Sequence, residues 1–139
     1  MKTKSIASWL LRLLAALIML QTLYFKFSAS EESVYIFSTL GIEPWGRIAT
    51  GIAELIASIL LLWPRTISLG ALMGLGIMAG ALFSHLTVLG ISVKNDNGYL
   101  FFLCLTVMIC CIALLVVDRS QLQLFIRTIT GKNKHPAMT

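Results

Sequence analysis

The sequence predicts an all-α integral membrane protein, a bundle of four transmembrane helices running up-down-up-down. Three observations carry that expectation. Apolar residues make up 58% of the 139-residue chain and charged residues 12%, against about 45–50% and about 25% in soluble domains. The apolar residues gather into four runs, each able to cross a hydrocarbon core of about 30 Å at about 1.5 Å per residue. Each gap between the runs carries a turn or helix-start signal. Backbone in lipid must satisfy its own hydrogen bonds, so apolar runs of this length are helices.

The first run spans about residues 6–27. Lys2 and Lys4 precede it and Ser28-Ala29-Ser30 follows it, the outline of a cleavable signal. The run nevertheless exceeds the usual apolar stretch of about 7–15 residues in such signals, and Lys26 falls just before the small residues. Retention as the first helix is the expectation. The connection from Ser28 to Glu43 contains Val34, Tyr35, Ile36 and Phe37, which places part of it in the membrane interface. The second helix is expected over 45–63, with Pro44 suited to a helix start because its missing N–H would have no partner there. Trp63-Pro64-Arg65 makes a tight turn into a third helix over 66–93. Asn95-Asp96-Asn97-Gly98 is a turn cluster before the fourth, over 98–117. Residues 118–139 form a short basic tail. Its first part, Gln121 to Ile129, is mixed enough to lie on the membrane surface, and Lys132, Lys134 and His135 belong to a polar, solvated end.

The net charge of +5 encodes orientation. Of the 11 basic residues, Lys2, Lys4, Arg12, Arg65, Arg119, Arg127, Lys132 and Lys134 fall on one side of the bundle. Only Lys26, Arg47 and Lys94 fall on the other. By the positive-inside rule both termini are cytoplasmic. No basic stripe interleaved with aromatics follows a phosphate backbone, so nucleic acid is not an expected partner. Cys104, Cys110 and Cys111 share one apolar run without a C-x-x-C pair. They read as reduced packing residues and not as a redox couple or a zinc site.

Among the ionisable residues within the spans, where a charge costs about 2.5–3.5 kcal/mol near a helix centre, Lys26, Glu54 and His85 are the candidates for chemistry. Lys26 ends the first helix. Glu54 lies nine residues into the second, about 13 Å deep at about 1.5 Å per residue. His85 lies short of the far end of the third. All three fall in the outer half of the bilayer and could converge. Arg47, Gly51, Glu54 and Ser58 repeat at helical spacing to give one small, polar face; Gly74, Met78, Ala81 and His85 do the same on the third helix. Gly70-x-x-x-Gly74 and Gly76-x-x-x-Gly80 are expected to let neighbouring backbones approach. Lys26 and Glu54 are expected to pair between helices, leaving His85 as the proton-exchanging group. The competing expectation is that Lys26 snorkels to the headgroups and Glu54 bonds a backbone group or hydroxyl.

These residues resemble the DoxX family of small bacterial and archaeal membrane proteins. The likeness lies in the Lys26-Phe27 end of the first helix, Gly51-x-x-Glu54 followed by Leu60-Leu61-Leu62, the turn residue Arg65, and the small-residue third helix with Met78, Ala81 and His85. It covers roughly residues 9–117. Leu23 stands where the family often has glycine. The resemblance implies a four-helix protein of the bacterial cytoplasmic membrane, with some relatives linked to thiosulfate:quinone oxidoreduction and others to redox complexes with soluble enzymes.

The leading functional expectation is a redox-complex membrane subunit that contacts quinone, with Lys26, Glu54 and His85 as the candidate catalytic residues. No haem, iron–sulfur or nucleotide motif is present, so no intrinsic cofactor is expected, and electrons would come from a soluble or membrane redox partner. The alternatives are a proton-coupled small-solute transporter titrating at Glu54, which would require a homodimer, and a non-catalytic scaffold pinned by Lys26 and Glu54.

Overall fold

A computed structural model describes residues 2–131, with side chains from Ser5 onward; Lys132, Lys134 and His135 lie outside the described residues, as do the side chains of Lys2 and Lys4. The described chain is helical, with six helices: α1 Lys2–Phe27, α2 Glu31–Thr39, α3 Trp45–Leu62, α4 Ile67–Ser84, α5 Tyr99–Val117 and α6 Arg119–Ile129. Four of them are long and apolar enough to span a membrane. α1 packs on α3 and α5, and α4 packs on the same two, so α1–α4 and α3–α5 are the diagonals. Only about a third of each span is buried within the bundle. Leu10, Leu17, Ile59, Phe83, Phe102, Ile109 and Val116 point outward and exposed. A surface so apolar needs lipid around it.

The core explains why four short spans hold together. Ala15, Met19, Ala57, Leu61, Ile67, Ala71, Met78, Cys104, Val107, Cys111 and Leu114 meet in one cluster. Without a hydrophobic drive in lipid, close packing of small residues carries association. A Cβ added at Gly70 would lie 2.6 Å from the Leu61 nitrogen, and one at Gly74 would lie 3.0 Å from Cys111 Sγ. That glycine pair admits its neighbours as expected. Gly76 and Gly80 do not: nothing lies within 4 Å of a Cβ at either. They sit on a different side of α4, and no backbone reaches them.

Buried arginines finish the helix ends. Arg12, 2% exposed, donates from Nε to Leu61 O at 2.5 Å and from Nη2 to Leu62 O at 2.6 Å. It thereby caps the last carbonyls of α3, while Trp9 stacks against its guanidinium. Arg47, two residues into α3, donates to Lys26 O at the end of α1 and pairs with Glu43 at 2.7 Å. Each helix of this antiparallel pair therefore completes its neighbour's C-terminus.

The third span is shorter than the expected 66–93. α4 passes at Ser84 into one wide π turn, His85–Leu89, closed by Gly90 N–H donating to His85 O at 2.8 Å. Gly90 has φ +77°, a conformation glycine adopts freely, and the helix stops there. The loop beyond is gathered by Asp96, whose carboxylate accepts from the N–H groups of Val93, Gly98 and Leu100. Partial burial pushes the Asp96 pKa upward, but these three donors together hold it below the ordinary aspartate value. Asp96 is a turn and cap residue.

Two segments expected to be loop or surface chain are helical. α2 starts on a Ser30 cap that accepts from Ser33 N, with Glu31 and Glu32 in its first turn. α6 follows α5 directly and carries Leu122, Phe125, Ile126 and Ile129 on one face at i, i+3, i+4, i+7 spacing. Gln121 fixes it to the bundle, accepting from Ser68 N at 2.8 Å and donating to Pro64 O at 2.9 Å.

Candidate functional site

At the end of the bundle opposite the α3–α4 turn the spans separate around a cavity of about 650 Å³. α2 lies across it, contributing Ser33, Ile36 and Phe37. Lys26, Glu54 and His85 all line it, with Thr22, Gln21, Ser84 and Tyr99 as further polar neighbours and Ile77, Met78 and Leu103 among the apolar ones. The size falls within the about 300–1,000 Å³ typical of small-molecule sites.

Helix geometry brings α1 and α3 together here. Gly51 removes the side chain that would collide with Phe27, whose ring lies 3.1 Å from the position of a Cβ at Gly51. The close approach is thus supplied from α3, and Leu23 on α1 does not prevent it. Lys26 Nζ lies 3.0 Å from Glu54 Oε2, with the two side chains 13% and 4% exposed. The structure therefore has the interhelical pair and not a lysine reaching for the headgroups. A buried ion pair costs desolvation at both partners, so it is weak evidence for stability in itself.

Thr22 was not singled out by the sequence. Its Oγ1 lies 2.8 Å from Met19 O and 3.1 Å from the same Glu54 Oε2. A hydroxyl has one proton, so it donates to one acceptor at a time. When Thr22 donates to the Met19 carbonyl, its oxygen can accept a hydrogen bond from a neutral Glu54. Glu54 Oε1 has no hydrogen bond among the described residues and belongs to a residue on the cavity wall.

His85 opens the π turn, a distortion frequently found at functional positions. Its Nδ1 lies 2.8 Å from Gly90 O. A carbonyl only accepts, so Nδ1 carries the proton, and Nε2 has no partner among the described residues. Phe101 packs edge-on against the ring, 5.7 Å between centroids. One nitrogen fixes the ring and the other remains for a guest.

Arg47 and Arg12, both placed by the sequence among the charges that set orientation, are instead buried structural groups. Their cue was available: an arginine within a span needs acceptors, and the nearest are helix-end carbonyls. Cys104 also touches the cavity, but its Sγ donates to Met78 O at 3.2 Å and is 5% exposed with the rest of the residue. It packs as a small apolar residue.

Outside the cavity, Lys94 Nζ pairs with Glu31 Oε1 at 2.8 Å, tying the loop before α5 to the start of α2. The hydrogen bond from Lys94, with its charge, lowers the Glu31 pKa below the ordinary glutamate value.

No curated protein and no solved structure matches the chain. A family model described as the DoxX-like family matches residues 10–116, which takes in the whole cavity and all but the outermost ends of the four spans, and the chain belongs to that family.

Proposed function

We propose that this protein binds a lipid-soluble quinone in the cavity and serves as the membrane subunit of a redox system. The observation that carries the reading is the pairing of an apolar cavity with a compact polar end: Lys26, Glu54 and Thr22 on one side, the unpartnered Nε2 of His85 on the other. The charges of Lys26 and Glu54 cancel, which suits a neutral guest with hydrogen-bonding oxygens. Lys26 polarises one quinone carbonyl. Reduction to the quinol takes two electrons and two protons, the protons passing through Glu54 and a protonated His85. The electrons come from a soluble or membrane redox partner protein, since no electron carrier is built from these residues.

The same reading places the protein in a bacterial cytoplasmic membrane with both termini inside. Arg65, Arg119 and Arg127 lie on the side of the bundle that carries the α3–α4 turn; with that side cytoplasmic by the positive-inside rule, the cavity opens toward the outer leaflet. Cysteines introduced at Glu31 and Thr130, both exposed, are expected to react with impermeant reagents from opposite sides of the membrane. Reaction from the same side rejects this orientation.

The test of function is the quinone content of protein purified in mild detergent. Mass spectrometry is expected to find quinone enriched in the wild type and depleted in Glu54→Gln, a variant that keeps shape and removes the carboxylate. Equal quinone in both, or none in the wild type above the level of an unrelated membrane protein, removes the reading.

A further inference from the structure

We infer that the cavity opens laterally to the bilayer between α3 and α4, giving an exit for the hydrocarbon tail of a membrane-resident ligand. The identity of the ligand rests on the quinone reading; the passage rests on the α3–α4 geometry alone.

The α3–α4 hairpin is tight at its turn. There Gly70 meets the backbone of Leu60 and Leu61. Two turns further along α4, on the side rotated toward lipid, Gly76 and Gly80 face open space, with no atom within 4 Å of a Cβ at either. On α3 the residues at the same level are Ala49 and Ala53, one helical turn apart and on the corresponding side. All four line the same cavity as Glu54, and Ala49, Gly76 and Gly80 are exposed. Counting about 100° per residue from the helical repeat, the cavity wall on α3 runs from inward-facing Glu54 through Thr50 to outward-facing Ala53 and Ala49. On α4 it runs from Met78 through Ile77 to Gly80 and Gly76. One continuous space therefore leads from the buried carboxylate to the outer surface of the bundle, past four residues with no side chain beyond Cβ.

The opposite side of the cavity differs. On α1 and α5 the lining includes the bulkier Ile18, Phe25, Leu103 and Tyr99. The polar end also has unspent bonding capacity: Glu54 Oε1 and His85 Nε2, on side chains almost wholly buried, have no partners among the described residues. A head with hydrogen-bonding oxygens satisfies those groups, and its tail leaves through the small-residue slit into lipid of its own kind.

Two measurements on full-length protein in phospholipid nanodiscs test this. The first uses a phosphatidylcholine with a diazirine in its acyl chain and maps the photoadducts by mass spectrometry. Adducts are expected on α3 around Ala53 and on α4 around Gly76 and Gly80, and on Glu54 or Thr22 within. Gly76→Leu/Gly80→Leu should abolish the internal adducts. The variant has room for its side chains and improves helix propensity, so it is expected to fold. Absence of internal adducts in the wild type overturns the passage, whether or not a quinone binds.

The second compares a long-tailed ubiquinone with the tail-less dimethoxy-methyl-benzoquinone. The double variant is expected to weaken the long-tailed quinone by about tenfold or more, about 1.4 kcal/mol, and to leave the tail-less one unchanged. Equal loss or equal retention of both overturns the passage as the tail's route. Internal adducts in a wild type that binds neither quinone would keep the passage and remove the quinone as its occupant.

Discussion

At the α3–α4 turn the bundle is solid: Arg12 is locked onto the last carbonyls of α3, Gly70 lets α4 press against Leu61, and Gln121 stitches α6 to the turn. At the other end the same four spans part around a cavity with α2 lying across it, and the pair Lys94–Glu31 ties the start of α2 to the loop before α5. Both ends contain a buried arginine on helix-end carbonyls, so buried charge alone does not distinguish structure from site. What differs is unused bonding capacity. Arg12 faces two carbonyls and an aromatic ring, whereas Glu54 and His85 each keep one atom without a partner. A polar group with every bond made builds a fold; one left with a free position beside a cavity can receive a guest.

The sharpest way to break this contrast is to unbalance the open end. Lys26→Met leaves Glu54 buried without its cation and is expected to cost about 3 kcal/mol in a reversible unfolding titration in mixed micelles. Lys26→Met/Glu54→Gln should recover most of that loss, because the cost belongs to the unpaired charge. Failure of the double variant to recover would make Lys26 important for packing instead. At the solid end, Arg12→Met removes charge-assisted bonds to Leu61 and Leu62 and should cost about 2 kcal/mol. Quinone content per folded molecule is expected to stay unchanged; a fall would show that the two ends are coupled.

Gln121→Ala removes two hydrogen bonds between α6 and the turn, worth about 1 kcal/mol in all. Hydrogen exchange should accelerate in α6 and at Ser68 while α5 stays protected. Uniform acceleration through α5 would contradict a locally attached α6. The smallest effect concerns the strap over the cavity. Glu31 has a depressed pKa in the folded protein, so its pairing with Lys94 is complete above the ordinary glutamate range and is lost as pH falls through the depressed value. An NMR titration of the Glu31 carboxyl carbon should show a lower midpoint in the wild type than in Lys94→Gln. Equal midpoints would dissolve the pair.

The spans were legible because lipid imposes one rule, internal backbone pairing, over runs long enough to count. Depth arithmetic puts Lys26, Glu54 and His85 in the outer half of the bilayer, and the small polar face of α3 gives the direction of Glu54. Helical spacing could not say which glycines would meet a neighbour. Gly70-x-x-x-Gly74 and Gly76-x-x-x-Gly80 read alike, yet only the first pair is crowded, because Gly76 and Gly80 sit on a different side of α4 where no neighbour reaches. The positive-inside rule counts Arg12 and Arg47 as orientation charges because it counts basic residues without asking where their side chains go. α2, nine residues long, is too short for periodicity to establish, although Ser30 followed by two glutamates is a helix start.

The hydrogen bond from His85 to Gly90 has a chemical corollary. With its Nδ1 proton committed to a carbonyl, a neutral His85 presents only a lone pair at Nε2. It can accept from a hydroxyl but has nothing to give a bare carbonyl oxygen until the ring takes up a proton. One backbone carbonyl, exposed by a single wide turn, thus makes the ring selective for hydrogen-bond donors when neutral and for acceptors when charged.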